Sequence, residues 1–205
     1  MRQNPSFTLA DVSEMRRVVE SNPWATIVSA TPEGLVSSHY AVMLDDHRDD
    51  LTIVAHVGRP DDLIHGLGDR ELLVILQGPH GYISPGWYGD VQAVPTWNYI
   101  AVHLSGVPEI LSDEENFRIL GDLVDHFETR MPTPVSLDID LDKAARIARG
   151  TVGLRLRVTR FDARAKLSQN KAPEVRESIM TALEGSGPYA SPELAAEMRR
   201  VNDPA

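Results

Sequence analysis

Cysteine is absent from this chain of 205 residues. Its absence excludes disulfide bonds, thiolate catalysis, iron–sulfur clusters and zinc–thiolate sites. A bound metal would therefore be held by histidine, by carboxylates or by a prosthetic group.

Long apolar runs are also missing. No stretch approaches the length of about 20 apolar residues that crosses a bilayer. The first residues, Met1–Pro5, lack the apolar core of a signal peptide. We therefore expect a cytoplasmic protein that has no membrane partner.

Basic residues are in deficit, with 20 Lys and Arg against 30 Asp and Glu, which gives a formal net charge of −10. Proteins that bind nucleic acid gain much of their affinity by neutralising phosphates. The densest basic group has the spacing of one strand and its following turn: Arg155, Arg157, Arg160, Arg164, Lys166 and Lys171. The charge balance argues against DNA as the principal partner.

Several catalytic motifs are absent as well. The sequence contains no His-Glu-x-x-His or paired His-x-His segment, which argues against a hydrolase that uses a free metal ion. It contains no Gly-x-Ser-x-Gly and no phosphate-binding Gly-rich loop, so triad hydrolases and NTPases have no support.

Aromatic residues are concentrated in one part of the chain. Residues 78–88 and 94–99 contain two of the three tryptophans and three of the five tyrosines, together with His80. Each ring needs a flat or apolar surface to cover it. That cover is either a ligand or a small hydrophobic core at a subunit contact, and composition does not distinguish the two.

Hydrophobic periodicity predicts antiparallel strands with helices placed mainly in the second half, an α+β fold built on a small barrel. One domain is expected over residues 1–184, with a tail containing a short helix over 185–205. The predicted strands are Trp24–Ala30, Leu35–Leu44, Leu51–His56, Glu71–Gln77, Trp97–Gly106 and Val152–Val158, and the predicted helices begin at Val12, Asp61, Asp113, Asp140, Pro173 and Ser191.

Two of these segments carry a more specific expectation about burial. The strand Glu71–Gln77 is nearly all apolar, which predicts burial on both faces. The helix from Asp113 to Arg130 has an apolar stripe at helical spacing. That stripe consists of Phe117, Leu120, Leu123, Val124 and Phe127.

With no cysteine, the seven histidines are the natural candidates for ligands or proton carriers. His47 lies in an acidic turn and His126 near the end of a helix, where solvation or a structural role is the simpler interpretation. His39, His56, His80 and His103 are compatible with core positions. His65 differs because it sits among apolar neighbours on a short helix.

The chain resembles the PaiB-like family of FMN-binding negative transcriptional regulators. The matching motifs run in the family's order over roughly residues 5 to 183. They include Leu73–His80, Tyr82–Pro85, Val94–Tyr99 and Lys166–Asn170. The resemblance implies a split β-barrel, a homodimer and a planar cofactor near the subunit interface.

The sequence departs from the family at one informative segment. After Arg59 the family usually continues Ala-Asn-Pro-x-Trp-Arg, whereas this chain continues from Pro60 to His65. An imidazole replaces a permanently charged guanidinium, which removes an anion-binding group and supplies a metal ligand. This substitution resembles the haem-dependent piperazate synthases, in which a histidine is the axial haem ligand, and His65 is the position assigned to it.

The resemblance implies a haem b enzyme that cyclises N5-hydroxy-L-ornithine to L-piperazic acid with loss of water; FMN is the alternative cofactor. His65 would bind the iron. We expect His56, Trp97 and Tyr99 to line the cofactor, and Arg59, Lys166 or Lys171 to meet its propionates or the substrate carboxylate. Asn98, His103 and Ser168 are candidates for substrate contact or proton delivery. The alternatives are a flavin-binding regulator, a flavin- or haem-dependent oxidoreductase, and an interaction module without a ligand.

Overall fold

The computed structural model describes residues 4–89 and 94–202, so the ends of the predicted domain and tail, at residues 1 and 205, lie outside them. The strands are β1 Trp24–Thr31, β2 Gly34–Leu44, β3 Thr52–Gly58, β4 Leu72–Ile83, β5 Thr96–Gly106, β6 Glu109–Ile110, β7 Thr151–Arg157 and β8 Arg160–Lys166. The α-helices are α1 Val12–Ser21, α2 Asp61–His65, α3 Asp113–Glu128, α4 Leu141–Ala148, α5 Pro173–Glu184 and α6 Pro192–Asn202.

The strands form one eight-stranded sheet in the order β6-β7-β3-β2-β1-β4-β5-β8. β1 pairs antiparallel with β2 along its whole length, from Trp24 opposite Ala41 to Thr31 opposite Gly34. β1 also pairs antiparallel with β4, and β3 pairs antiparallel with both β2 and β7. This sheet with its helices confirms the predicted α+β class. No helix in the described part of the chain is both long and apolar enough to cross a membrane.

Contacts divide the chain into two compact units. The larger unit comprises residues 16–76 and 103–161, and the smaller comprises residues 1–15, 77–102 and 162–205. The strands β4 and β5 each run through both units.

In the larger unit, α3 packs on β3 and β7. Ser112 caps this helix by accepting the backbone N–H of Glu115, and three acidic residues in the first turn complement the helix dipole. The buried contact joins Val54 of β3 to Leu111, Ile119 and Leu123.

In the smaller unit, α6 packs on α5. Leu194, Ala195 and Met198 of α6 are fully buried. The short helix predicted near the C-terminal end is therefore formed, and its apolar face is covered within this unit.

Three expectations are corrected by the structure. β4 extends to Ile83, beyond the predicted strand end at Gln77, and so includes His80 and Tyr82 of the aromatic segment. Its burial alternates, with Leu73 and Ile75 only half-buried, so it is not buried on both faces. The buried face of α3 is rotated towards Ile119 and Asn116, and Phe117, Val124 and Phe127 are half-buried.

The strand β8 was missed because charged residues obscure its alternation. Arg164 points into the protein, with 3% of its surface exposed, and its Nη1 donates to Thr8 Oγ1 at 3.0 Å. An inward arginine breaks the apolar pattern by which a strand is identified from sequence.

Candidate functional site

The helix α2 is short because its sequence limits it at both ends. Pro60 precedes its first residue, and Gly66 ends it in the left-handed conformation, with φ of 60°. Leu67 then donates its N–H to Asp62 O at 3.0 Å, a helix-ending arrangement that favours glycine at the left-handed position. The helix packs on β1, β2 and β3, and His65 is its last residue.

His65 is buried, with 1% of its surface exposed, and both ring nitrogens have hydroxyl partners. Nδ1 lies 2.9 Å from Ser29 Oγ on β1, and Nε2 lies 3.0 Å from Ser38 Oγ on β2. These contacts hold the ring in one orientation between two strands.

Asp61 lies at the other end of the same helix and contacts two hydroxyls. Its Oδ2 accepts a hydrogen bond from Ser38 at 2.6 Å and one from Tyr40 at 2.8 Å. Tyr40 Oη in turn accepts the backbone N–H of Gly58 at 3.1 Å. Ser38 and Tyr40 are two residues apart on β2, so strand periodicity places both on one face.

Burial and these hydrogen bonds set the charges of the cluster. Burial lowers the pKa of His65 below its usual value, more than the negative charge of Asp61 raises it. The hydrogen bonds from Ser38 and Tyr40 lower the pKa of Asp61. Burial, together with the hydrogen bond to Asp61, raises the pKa of Tyr40. At neutral pH the cluster therefore contains a neutral imidazole beside an ionised carboxylate.

Leu63 and Ile64, which precede His65 on α2, are exposed by 78% and 47%. Exposed apolar side chains beside a buried imidazole provide a surface suited to a flat apolar group. The helix therefore presents an imidazole and an apolar edge together.

Two further predicted residues lie in the same unit. Arg59 Nη1 forms an ion pair with Asp62 Oδ2 at 3.0 Å, with half of the Arg59 side chain exposed. His56, opposite Gly153 in the β3–β7 pair, has a buried Nδ1 with no hydrogen-bond partner among the described residues. Burial lowers the pKa of His56, so this imidazole is neutral as well.

A second group of predicted residues surrounds the end of β8 in the smaller unit. Lys166 Nζ donates to the backbone oxygen of Trp97 at 2.8 Å and to the hydroxyl of Thr96. Burial, and to a lesser extent the charge of Lys171, lower the pKa of Lys166. Lys171 Nζ lies 5.0 Å from the centre of the Tyr88 ring. This end of β8 carries positive charge.

Asn98 and Ser168 contact each other at the turn that follows β8. Asn98 is fully buried, and its Nδ2 donates to Ser168 Oγ at 2.9 Å and to Met198 Sδ at 3.4 Å. Ser168 has a φ of 62°, which is uncommon for a residue other than glycine. The pair fixes the turn that follows Lys166.

The aromatic residues of the smaller unit form a cluster. His80 stacks on Trp97 with ring centres 6.4 Å apart, and Tyr82 meets the edge of Trp97 at the same separation. Tyr82 also lies 4.9 Å from Tyr189. Trp97 remains 54% exposed, and Tyr99 is half-buried. One indole surface is therefore available to a ligand or a partner.

The predicted site residues divide between the two units. His56, Arg59, His65 and His103 belong to the larger, whereas Trp97, Asn98, Tyr99, Lys166, Ser168 and Lys171 belong to the smaller. The hydrogen-bond partners of His65, Ser29 and Ser38, were not predicted, and neither were Asp61 and Tyr40, which extend the cluster from Ser38. Ser38 and Tyr40 lie two residues apart on β2, and this spacing, which puts both on one face of the strand, is the signal that could have found them.

Comparison with known proteins places this architecture in a family. The model of the family described as "Putative FMN-binding domain" matches residues 1–160. The chain is 30% identical over 168 residues to the protease synthase and sporulation protein PAI 2 of Bacillus subtilis strain 168, covering 80% of each chain.

Solved structures share the fold. The FAD and heme binding protein from Mycobacterium smegmatis matches with a TM-score of 0.57 and 14% identity, covering 78% of this chain and 73% of that one. The flavocytochrome Anf3 from Azotobacter vinelandii matches with a TM-score of 0.59 and 13% identity, covering 96% of this chain and 77% of that one. The predicted split-barrel fold is thereby confirmed, and the chain belongs to the FMN-binding domain family of the B. subtilis PAI 2 protein.

Proposed function

We propose that this protein is a haem-dependent piperazate synthase, which converts N5-hydroxy-L-ornithine to L-piperazic acid and water. The observation that carries the proposal is the buried, neutral imidazole of His65 on a short, well-anchored helix. A haem enzyme that keeps one side of the iron open for substrate needs one such ligand from the protein.

The residues around His65 fit a haem. A ligating imidazole offers a lone pair from one nitrogen and usually donates a hydrogen bond from the other. With hydroxyls at both nitrogens, one stays as that partner when the iron takes the place of the other. Leu63 and Ile64 supply an exposed apolar edge for the macrocycle.

When bound, haem iron would act as a Lewis acid on the hydroxylamine and make its hydroxyl a better leaving group. The α-amine then forms the N–N bond as the N–O bond breaks, and the departing hydroxide takes up a proton, so no net oxidation occurs. The chain must hold the substrate curled so that its two nitrogens meet, which is catalysis by orientation. His103 remains our candidate for proton delivery.

The positive end of β8 suits a carboxylate. Lys166 uses two of its hydrogen bonds inside the protein and has a third donor left. Lys171, which is exposed, adds a second positive charge. A carboxylate is present in both the amino-acid substrate and a porphyrin. Arg59 is a weaker candidate because it already pairs with Asp62.

The fold is compatible with haem as well as flavin. Of the two solved structures described above, one is named for binding FAD and heme, and the other is a flavocytochrome. This likeness is one of fold, so the choice of haem depends on His65.

The test is the absorption spectrum and activity of His65→Ala, reconstituted with haem alongside the wild type. We expect the variant to keep its far-UV circular dichroism, lose the wild-type Soret band and form no L-piperazic acid by mass spectrometry. His47→Ala is the matched control, because His47 is exposed in a turn. An unchanged Soret band in His65→Ala would refute the ligand assignment.

FMN is the second candidate, favoured by the description of the family model. A regulator of this type would purify yellow with flavin absorbance and would bind operator DNA. The net charge of −10 argues against the DNA-binding half of this alternative. The visible spectrum of the purified protein and fluorescence anisotropy with duplex DNA distinguish the two functions.

A homodimer is also part of the proposal. The outer face of β1 and β2 exposes Trp24 by 67% and Leu35 by 79%, and His39 stacks on Trp24 with ring centres 6.4 Å apart. Large apolar side chains exposed at both ends of this face suit an interaction surface. We expect Leu35→Glu to shift the molar mass, measured by light scattering, from dimer to monomer. A wild type that elutes as a monomer contradicts this part of the proposal.

A further inference from the structure

The direction of each hydrogen bond around Asp61 follows from counting protons. An ionised carboxylate accepts only, so Ser38 and Tyr40 must both donate to its Oδ2. Each hydroxyl has one proton, which is then used. Tyr40 Oη is consistent with this because it accepts the N–H of Gly58.

The same count of protons determines which nitrogen of His65 is protonated. Because the proton of Ser38 is directed at Asp61, the 3.0 Å contact between Ser38 Oγ and His65 Nε2 requires the proton to be on Nε2. A neutral imidazole has one N–H, so Nδ1 carries the lone pair and accepts the hydroxyl proton of Ser29 at 2.9 Å. The hydrogen bonds therefore all donate in one direction: Ser29 to His65, His65 to Ser38, and Ser38 to Asp61.

We propose that Asp61 is a positioning residue for His65. Acting through Ser38, it selects the Nε2–H tautomer of the ligand-free imidazole and keeps a negative charge behind the ring. The proposal rests on the proposed function only where it treats His65 as a haem ligand. The tautomer itself is a property of the haem-free protein.

A carboxylate close to a ligating histidine changes the properties of the metal ion that the histidine binds. Such partners orient the ring and raise its basicity, and a nearby negative charge stabilises ferric over ferrous iron. The effect of the charge has the same sign whichever ring nitrogen meets the iron. Asp61 is held by two hydroxyls and lies on the same five-residue helix as His65, so its position relative to the ring is fixed.

The first test is the tautomer of His65 in the haem-free protein, read from long-range 1H–15N NMR correlations at neutral pH. We expect a protonated Nε2 and an unprotonated Nδ1 in the wild type. Ser38→Ala removes the acceptor, so the Nε2–H population should fall in favour of Nδ1–H, for which Ser29 can accept. Tyr40→Phe is the matched control, because it removes one bond to Asp61 but keeps the Ser38 link, and it should retain the wild-type tautomer.

The second test uses the haem-loaded protein. Asp61→Asn removes the charge with little change in shape and should shift the ferric/ferrous potential to a more positive value. Tyr40→Phe, which keeps the charge, should give a smaller shift. A wild-type ring protonated on Nδ1, or a Ser38→Ala variant with an unchanged tautomer, overturns the proposal. If the protein binds no haem, the proposed function fails while the NMR result still decides the tautomer and its dependence on Ser38.

Discussion

At the scale of single residues, the chemistry of His65 depends on neighbours that are remote in sequence. Ser29 is 36 residues away and Ser38 is 27 residues away. The sequence showed an imidazole beside apolar residues on a short helix, and in the structure that imidazole is buried while Leu63 and Ile64 are exposed. The tautomer and the charge behind the ring depend on strands that reach this helix only through folding.

Asn98 gives a prediction at this scale. It is fully buried and its amide contacts Ser168 and Met198, so Asn98→Ala leaves buried polar atoms without partners. We expect the free energy of unfolding to fall by about 1 to 3 kcal/mol, measured by urea denaturation. Asn170→Ala, at an exposed position in the same turn, should be close to neutral. Equal losses in the two variants contradict this account.

At the scale of elements, Gly153 sets how closely α3 approaches β7. A Cβ built on Gly153 would meet Asn116 Oδ1 at 2.9 Å and the Asn116 backbone Cα at 3.1 Å. Gly153→Ala should therefore destabilise the protein by about 1 to 3 kcal/mol through overpacking, measured by denaturation.

Gly121→Ala is its matched control. Gly121 lies on α3 with nothing within 4 Å of an added Cβ, so alanine should stabilise the helix by about 0.5 to 1 kcal/mol. Opposite signs in the two variants are expected. A loss of stability in Gly121→Ala would show that the packing around α3 is tighter than we infer.

The docking of α6 gives a second prediction for an element. Met198 is fully buried, whereas Arg199 forms ion pairs with Glu177 and Glu184 on the exposed side. Met198→Ala should cost about 2 to 5 kcal/mol, and Arg199→Ala should cost clearly less because solvent screens exposed pairs. Amide hydrogen exchange in α6 measures both. A larger loss of protection in Arg199→Ala than in Met198→Ala would reverse this order.

For the whole molecule, pH dependence is expected from Asp45 and Arg155. Burial by itself would raise the pKa of Asp45, but the hydrogen bonds from Arg155 and the His47 backbone N–H outweigh it, and the pKa is lowered. A carboxyl whose pKa is lowered by folding stabilises the protein above its unfolded pKa of about 3.9. That contribution is lost as the pH falls through the folded pKa.

We therefore expect Asp45→Asn to lose about 1.5 to 3 kcal/mol at neutral pH and to approach the wild type in stability as the pH falls below about 4. Urea denaturation across this pH range measures the difference. Asp50→Asn breaks the exposed pair with Arg157 and should have a much smaller effect. A difference between wild type and Asp45→Asn that is independent of pH contradicts the assignment.

Hydrophobic periodicity is a local property, so the sequence predicted the types of most elements and the α+β class. His65 was singled out by the resemblance to the family, which usually has a guanidinium at that position. The sequence also indicated the aromatic concentration, part of which the structure resolves as a cluster around Trp97. It missed β8, where the buried Arg164 interrupts the apolar pattern.

The contacts between side chains that are distant in sequence are set by the folded chain. The hydroxyls of Ser29, Ser38 and Tyr40 come from β1 and β2, and they reach His65 and Asp61 only when α2 packs on these strands. Hydrogen-bond partners depend on distances of about 3 Å between atoms far apart in sequence, and no local pattern encodes such distances. The neutral imidazole and its carboxylate neighbour are therefore products of the fold.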